Sequence, residues 1–418
     1  NKKLPPVPSP SLAMADLVRA LRAYVDKMLK KGVIDGMKAL ICDNQTKAIV
    51  GMVYSMHEIL EKEVFLVEGI EAAHDDMMHL KAVVFVRPSK ENLARLKTEL
   101  RSPKFAEYHI FFSNIVAQSF LSDLAAADVT SAVKAVHEFY GDYFAVNPDF
   151  FTLNLGQSLK MCMPRARWDR VETLQFERSV SGVISVLLSL KMKPYVRFQG
   201  TSEVAQAFAR KVHEVMTTER ELFQFTRAEG APLLLILDRR EDPVTPLLSQ
   251  WTYQAQVHEL LKIDNNTVSL KDAPGVAPDL KQVVLSTTSD PFFRANMYAN
   301  YGDLNAAIKA MLEDFAAERK QHENITSIED MQKFVGKYPE LRAKNNIVSK
   351  HVAIATELSR LVDRHNLLAV SELEQDISCR EAQSDHFRQV CMLLEDPSIG
   401  KIDALRTVML YVAQMSPP

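Results

Sequence analysis

The 418-residue chain contains little glycine and no strong excess of either charge. Its 13 glycines form no G-x-G-x-x-G and no G-x-x-x-x-G-K-[ST] pattern, so no backbone cradle for a nucleotide is predicted. The formal net charge of -3 shows no basic excess, which argues against a nucleic-acid partner. No apolar run approaches the ~20 residues that cross a bilayer, and no signal-peptide pattern opens the chain. Direct membrane insertion is therefore not predicted.

Cysteine and histidine are also sparse. Cys42, Cys162, Cys379 and Cys391 are far apart, which predicts reduced thiols in a reducing compartment and no disulfide framework. The 11 histidines never pair at metal-ligand spacing with each other or with cysteine, and neither H-E-x-x-H nor G-x-S-x-G occurs. We therefore predict no metal and no cofactor, and we interpret each histidine as an ordinary surface or core residue.

The pattern that is present suggests several domains. Residues 1–13 are proline-rich and are interpreted as a non-native or disordered leader before Met14, with a short polyproline ligand as the alternative. In 14–150, short apolar runs alternate with helix-like stretches, which predicts a doubly wound parallel α/β domain. The strand candidates are 38–43, 64–69, 82–87 and 108–114, and the helix candidates include 46–60 and 90–101, the latter capped by Ser89.

Residues 151–262 repeat this theme, with predicted helices at 181–190 and 203–219. The fully apolar run 232–238 is typical of a strand buried in a parallel sheet. The segment 263–418 is predicted to be mostly helical, with helices at 302–320, 327–336, 340–365, 380–394 and 400–413. The predicted fold class is therefore α/β plus all-α, with two doubly wound parallel-sheet domains followed by a helical domain.

One cluster could carry chemistry. Asp238-Arg239-Arg240-Glu241-Asp242-Pro243 follows the apolar strand, at the strand end where open α/β sheets bind ligands. Its three carboxylates could hold Mg²⁺, which would make the protein a metal-dependent enzyme. The favoured alternative is a structural turn in which Arg239 and Arg240 neutralise the acids. Thr245 is then predicted to cap a helix that begins at Pro246 and continues to Leu261.

Residues 233–261, LLLILDRREDPVTPLLSQWTYQAQVHELL, closely resemble the signature of the SM (Sec/Munc) family of SNARE regulators. The stretches at 36–43, 139–148 and 349–362 are also similar to that family. The run LAVSELEQ at 368–375 is most similar to its endosomal/trans-Golgi, vacuolar-protein-sorting branch. The resemblance covers 14–418. It implies an arch of three domains that is not an enzyme, and further residues past Pro418 that would complete the middle domain.

The resemblance also implies two surfaces on the first domain. An outer pocket would bind the N-terminal peptide of a syntaxin-type (Qa) SNARE, although the same side chains could equally be plain core. An inner face would hold folded syntaxin at Asp43, Ser55 and Glu58, and Asp43 could instead be a strand-end turn residue. The residues assigned to the outer pocket are Leu121, Leu124, Val133, Val136 and Glu138.

In the third domain, the resemblance implies a helical hairpin near 304–355 that holds vesicle SNARE helices in register. Its tip is placed at 338–340, and its contacts at Pro339, Leu341 and Val352; the alternative is a purely structural hairpin. The implied protein is cytoplasmic, monomeric and peripherally recruited, and it templates SNARE complex assembly at endosomes, the trans-Golgi and the vacuole. The alternative functions are a metal-dependent enzyme and a passive scaffold that only holds syntaxin.

Overall fold

The structure is a computed structural model. It describes residues 15–30, 34–156, 159–225, 232–323, 328–379 and 385–415, without the side chains of Leu159, Cys162, 319–339 and Met415. The leader at 1–13 lies outside these residues. The chain forms two compact units, Asn1–Asp238 and Arg239–Pro418. The division into domains 14–150, 151–262 and 263–418 stays a prediction. Within the described residues, no helix is both long and apolar enough to cross a membrane.

The first unit opens with helix α1 (Leu17–Leu29) and contains a parallel five-stranded sheet. Its strands run in the order β2-β1-β3-β4-β5, so the connection from β2 to β3 crosses over β1 and reverses the direction in which strands are added. The predicted parallel α/β fold is confirmed. The strands are β1 (Lys38–Cys42), β2 (Val64–Gly69), β3 (Met77–Val86), β4 (Phe105–Phe112) and β5 (Val133–Glu138).

Four helices connect these strands, and side-chain caps mark where three of them begin. The prediction that Ser89 caps a helix is confirmed, because its hydroxyl accepts the Asn92 N–H at 3.2 Å. The single helix predicted at 46–60 is instead two helices, since Asp43 and Ser55 each start one with a capping box. The helices are α2 (Asn44–Val53), α3 (Met56–Leu60), α4 (Lys90–Arg101) and α5 (Gln118–Ala127).

The rest of the first unit adds a hairpin and a second, smaller parallel sheet. The hairpin pairs β6 (Phe144–Asn147) with β7 (Phe150–Thr152), and the sheet pairs β8 with β9. The helices predicted at 181–190 and 203–219 are present, and the first of them begins earlier than predicted, at Arg170. These elements are α6 (Arg170–Ser189), β8 (Tyr195–Phe198), α7 (Glu203–Thr218) and β9 (Leu233–Ile236).

The strand expected to be buried at 232–238 is parallel but not buried. Leu233, Leu235 and Leu237 are each more than half exposed. The two faces of β9 differ: Leu234 packs against the cluster of α6 and α7 side chains, whereas Leu233 and Leu235 lie on the opposite face, which no layer covers within the described residues. An apolar run identifies a strand, but its burial depends on what packs against it.

The second unit is mostly helical, as predicted, and it also contains a small antiparallel sheet that was not predicted. The three strands are only two or three residues long, too short to produce a readable period. The elements are α8 (Tyr253–Leu261), β10 (Ile263–Asp264), β11 (Thr267–Ser269), β12 (Gln282–Val284), α9 (Pro291–Asn296), α10 (Tyr301–Glu323), α11 (Ile328–Arg364), α12 (Leu367–Cys379), α13 (His386–Glu395) and α14 (Lys401–Met415).

The helix predicted from Pro246 to Leu261 is interrupted. A short 3-10 turn covers Thr245–Leu247, and α8 begins only at Tyr253. Thr245 makes no side-chain cap. The intervening residues bond to α12 instead: the Ser249 N–H donates to Glu374 at 2.8 Å, and the Trp251 indole N–H donates to Ser371 at 2.6 Å. These tertiary bonds override the local helical preference.

The hairpin tip predicted at 338–340 is also wrong. The backbone is helical without a break from Ile328 to Arg364, so Pro339 lies inside α11. A proline in a helix interior removes one hydrogen bond, yet it does not have to end the helix when the flanking turns are satisfied. The connection between α10 and α11 therefore falls at 324–327, outside the described residues.

Candidate functional site

The outer pocket residues lie together at one edge of the five-stranded sheet. β5 is the edge strand, and a register shift separates the pairs Tyr108–Val133 and His109–Ala135. The extra residue, Lys134, keeps Val133 on the same face of the sheet as Val136, which pairs with Ile110. Helix α5 contributes Leu121 and Leu124 to the same apolar cluster as Val133. We call the surface at this edge, formed by α5 and β5, the groove.

The groove side chains differ in exposure. Leu124 is buried at 4% exposure, whereas Leu121 and Val133 are half-buried and pack against the same core cluster. Val136 is 41% exposed at the rim. A buried floor with accessible apolar walls is what an apolar peptide side chain requires. The structure thus brings the predicted residues together without assigning them a ligand.

Glu138, the acidic residue of this group, already accepts hydrogen bonds from within the protein. The Glu138 carboxylate accepts the Val116 N–H at 2.7 Å and the Tyr140 hydroxyl at 2.9 Å. It therefore fixes the loop that leads from β4 into α5. A basic partner side chain would add to these bonds and would not meet an unoccupied carboxylate. Glu138 thus orders one wall of the groove whether or not a peptide is present.

The predicted inner-face residues separate into buried and exposed positions. Asp43 is 5% exposed, and its carboxylate accepts the backbone N–H groups of Thr46 and Arg87 and the Asn92 side chain. It is a structural residue at the end of β1, so any partner contact there has to come from its neighbours. Ser55 is exposed and caps α3.

A polar cluster beside Ser55 was missed by sequence reasoning. Glu58 accepts the Arg22 guanidinium at 2.8 Å, and Arg22 also stacks over the Tyr54 ring at 4.1 Å. Burial tends to raise the pKa of Glu58, but the bonds from Arg22 and Ser55 hold it below its usual value. Burial and the hydrogen bond to Asp26 both raise the pKa of Tyr54. Because these residues are distant in sequence, only the fold reveals the cluster.

The hairpin residues lie on α11, whose first part packs beside α10. The Lys344 ammonium joins Glu318 of α10 at 2.8 Å. Leu341 and Val352 are half-buried, and Val352 packs against the core of the second unit. Their separation is about three helical turns, so both lie on the same side of α11. The side chain of Pro339 lies outside the description.

The carboxylates of Asp238 and Asp242, in the acidic turn, are bound by other side chains of the protein. Asp238 accepts the Ser202 hydroxyl at 2.5 Å, and Asp242 pairs with Arg239 at 3.1 Å. Hydrogen bonds from the Thr245 hydroxyl and backbone lower the pKa of Asp242. Across the described ranges, no group of three His, Cys, Asp or Glu side chains is placed to hold a metal. The geometry therefore favours the structural turn over the Mg²⁺ alternative.

These features define a class of protein: a scaffold whose parallel α/β unit carries an apolar edge groove and whose helical unit presents a long hairpin. The family model described as Sec1 family matches residues 38–417. The chain belongs to the Sec1 family. The prediction made from the signature at 233–261 is confirmed.

Individual relatives also support the predicted branch. The chain is 46% identical over 398 residues to vacuolar protein sorting-associated protein 45 of Homo sapiens, covering 95% of this chain and 68% of the relative. It is 44% identical over 396 residues to the protein of that name in Dictyostelium discoideum, covering 95% and 69%. The solved structure "SM Protein Vps45 in Complex with Qa SNARE Tlg2" superposes with a TM-score of 0.88 at 43% identity, covering 96% of this chain and 70% of that one.

Proposed function

We propose that this protein binds a syntaxin-type (Qa) SNARE and templates SNARE complex assembly in endosomal, trans-Golgi and vacuolar trafficking. Membership of the Sec1 family supports this function, and so do relatives named for vacuolar protein sorting. A similar solved structure contains a Qa SNARE. The protein acts in the cytoplasm and reaches membranes through its partner. It makes and breaks no covalent bond, so it is not an enzyme.

The apolar groove between α5 and β5 is the observation that carries the proposal. It offers a buried floor at Leu124 and accessible walls at Leu121 and Val136. An extended SNARE N-terminal peptide can place one apolar side chain in such a groove while its backbone runs along the sheet edge. The bonds of Glu138 to Val116 and Tyr140 order one side of the groove before any peptide binds, so part of the ordering cost of binding is already met.

The helical unit supplies the templating step in this proposal. Leu341 and Val352, on one side of α11, would contact an amphipathic vesicle SNARE helix. Holding that helix beside the Qa SNARE removes part of the entropy that their later zippering would otherwise cost. If the protein only holds syntaxin, it should not accelerate assembly. Reconstituted assembly of the two SNAREs, with and without the protein, separates these functions.

The groove is tested by calorimetric titration with a Qa-SNARE N-terminal peptide. We expect Leu121→Arg to weaken binding by a few kcal/mol, because the peptide would bury an unpaired charge. Leu121 is half-buried, so in the free protein an arginine there can extend into solvent and leave the fold intact, and its charge would be covered only by a bound peptide. Val171→Arg is the matched control, since Val171 is 56% exposed on α6. Equal affinity of Leu121→Arg and wild type would remove the groove assignment.

A further inference from the structure

A chain of three buried polar side chains crosses the core of the second unit. Tyr253 and His351 are 0% exposed and Asp290 is 1% exposed. The Tyr253 hydroxyl lies 2.7 Å from His351 Nδ1, and His351 Nε2 lies 2.9 Å from Asp290 Oδ2. The Lys350 ammonium pairs with the same carboxylate oxygen and also donates to the Val284 carbonyl at 2.9 Å.

The partners and the burial of this chain together favour one protonation state. Burial tends to raise the pKa of Asp290, but the bonds from His351 and Lys350 lower it to about 2, so the carboxylate is charged. A carboxylate can only accept, so His351 carries a proton on Nε2. The Tyr253 hydroxyl can pair with Nδ1 either as donor or as acceptor, so this bond alone does not decide whether the ring is charged. Burial lowers the pKa of His351, which favours the neutral imidazole, with Nδ1 accepting the Tyr253 hydroxyl.

Each of the three residues comes from a different element. Tyr253 is the first residue of α8, within the signature segment at 233–261. Asp290 caps α9, with its other carboxylate oxygen accepting the Phe293 N–H at 2.9 Å. His351 lies in the middle of α11, the long helix of the hairpin. The hydrogen bonds therefore attach α11 at one point to the starts of two shorter helices.

The attachment point is adjacent to a predicted SNARE contact. His351 immediately precedes Val352, and neighbouring residues of a helix point about 100° apart. While His351 points into the core, Val352 is held at the flank of α11. Leu341 lies about three turns earlier on the same side, so any rotation or slide of α11 at His351 would move both residues together.

We propose that His351, held between Tyr253 and Asp290, is a positioning residue that sets the rotation of α11 and hence the direction in which Leu341 and Val352 face. The inference rests on the proposed function for what α11 contacts. It also gives the signature segment a physical role, since that segment supplies Tyr253. Hydrogen bonds are directional, whereas apolar packing tolerates rotation of a helix, so this contact specifies one orientation.

The test compares three variants of the full chain with wild type: His351→Ala, His351→Gln and Tyr253→Phe. Binding of a fluorescent vesicle-SNARE helix reports on α11, and binding of a Qa-SNARE N-terminal peptide reports on the first unit. We expect His351→Ala to weaken helix binding about tenfold, equal to about 1.4 kcal/mol, with peptide affinity unchanged. Asn346→Ala is the control, because Asn346 is exposed on the same helix but lies about 120° around it from Val352.

His351→Gln separates positioning from bulk stability. Its amide can donate to Asp290 in place of Nε2, but it does not titrate. We expect it to recover most of the helix affinity and to give a flat pH profile from pH 7 to 5, where wild type weakens as His351 takes up a proton. Tyr253→Phe should fall between wild type and His351→Ala, because it removes one bond and leaves the imidazole attached to Asp290.

Amide hydrogen exchange across 341–358 provides a readout without any SNARE. Faster exchange there in His351→Ala, with the first unit unchanged, would support the inference. Unchanged exchange would overturn it, as would helix affinity equal to wild type. If wild type itself binds no vesicle-SNARE helix, the templating function fails, while the exchange experiment still decides whether His351 positions α11.

Discussion

The buried ion pair between Asp142 and Arg178 gives a prediction that can be worked out from the structure. Asp142 follows β5 and is 3% exposed, and Arg178 lies on α6. Asp142 Oδ1 accepts the Arg178 guanidinium at 2.9 Å, and Oδ2 accepts the Asn114 side chain at 3.0 Å. The Asp142 N–H donates to the Ser185 hydroxyl at 2.8 Å. The pair thus joins α6 to the carboxyl edge of the five-stranded sheet.

The cost of burying the two charges outweighs the attraction between them, so burial has the larger effect on both pKa values. It raises the pKa of Asp142 and lowers the pKa of Arg178, although each charge stabilises the other. Replacing Arg178 alone leaves a buried carboxylate, which costs about 3–5 kcal/mol of unfolding free energy. In the double variant Asp142→Asn with Arg178→Met, the remaining defect is an unsatisfied amide worth about 1–3 kcal/mol. The double variant should therefore be more stable than Arg178→Met.

The pH dependence of the unfolding free energy provides a second test of this pair. Because the folded pKa of Asp142 lies above its unfolded value, the unfolded state binds fewer protons at intermediate pH, and stability falls as pH rises through the folded pKa. Without Arg178 the folded pKa rises further. The deficit of Arg178→Met relative to wild type should therefore shrink as pH falls from 7 to 5. Its stability should also rise relative to the double variant, which has no carboxyl group to titrate at this position.

The chain contains two tryptophans, so replacing one of them leaves a single fluorescent probe in one unit. Trp168 lies in the first unit, 5.7 Å from the ring of Phe176 on α6, and Trp251 lies in the second unit. Urea unfolding in a Trp251→Phe background therefore reports on the region that the pair supports. If the double variant proved no more stable than Arg178→Met, the buried carboxylate would not be the source of the cost.

Two further predictions concern a helix cap and the titration of the second unit. Ser89→Ala should lower the unfolding free energy by about 1 kcal/mol, and Ser89→Asp should restore it, in the same Trp168 assay. The second unit should lose stability as pH falls below about 6.5, because the folded pKa of His351 is depressed and the unfolded state then binds more protons. Tyr253, Asp290 and Lys350 face that imidazole. Trp251 fluorescence in a Trp168→Phe background measures the loss, which His351→Gln should abolish.

Local patterns predicted most elements of the first unit correctly. The apolar runs at 38–43 and 64–69 are β1 and β2, and the helix predicted at 90–101 has those limits in the structure. In such places the side-chain period, the cap and the tertiary environment favour the same conformation. Periodicity could not show whether the apolar strand β9 is buried, because burial depends on neighbouring layers.

The errors occurred where contacts distant in sequence decide the conformation. Residues 248–252 carry a helical pattern but bond to α12, and Pro339 carries a stop signal but lies within a continuous helix. The interpretation of His351 as an ordinary surface or core residue agrees with its burial, but nothing in the sequence indicated its hydrogen-bond partners. Its partners, Tyr253 and Asp290, are 98 and 61 residues away. Pairing at such separations cannot be read from spacing.

The exposure of the groove residues also could not be predicted from the sequence. In sequence, Leu121 and Leu124 are equivalent apolar residues of one helix, yet one is half-buried and the other is buried. β5 is the last strand of the sheet within the described residues, and Leu121 packs at the margin of the cluster that contains Leu124. Strand order is set by the whole sheet, and only this order turns a core-like pattern into an accessible wall.

The most recognisable segment of the chain therefore has a structural role in the second unit. Ser249 and Trp251 bond to α12, and Tyr253 bonds to α11, within a stretch of five residues. The carboxylates of the preceding turn are engaged by Arg239 and Ser202. A signature in a catalytic protein usually marks reacting groups, whereas this one fixes the orientation of helices. That difference is what a protein requires when its proposed task is to hold partner helices in register.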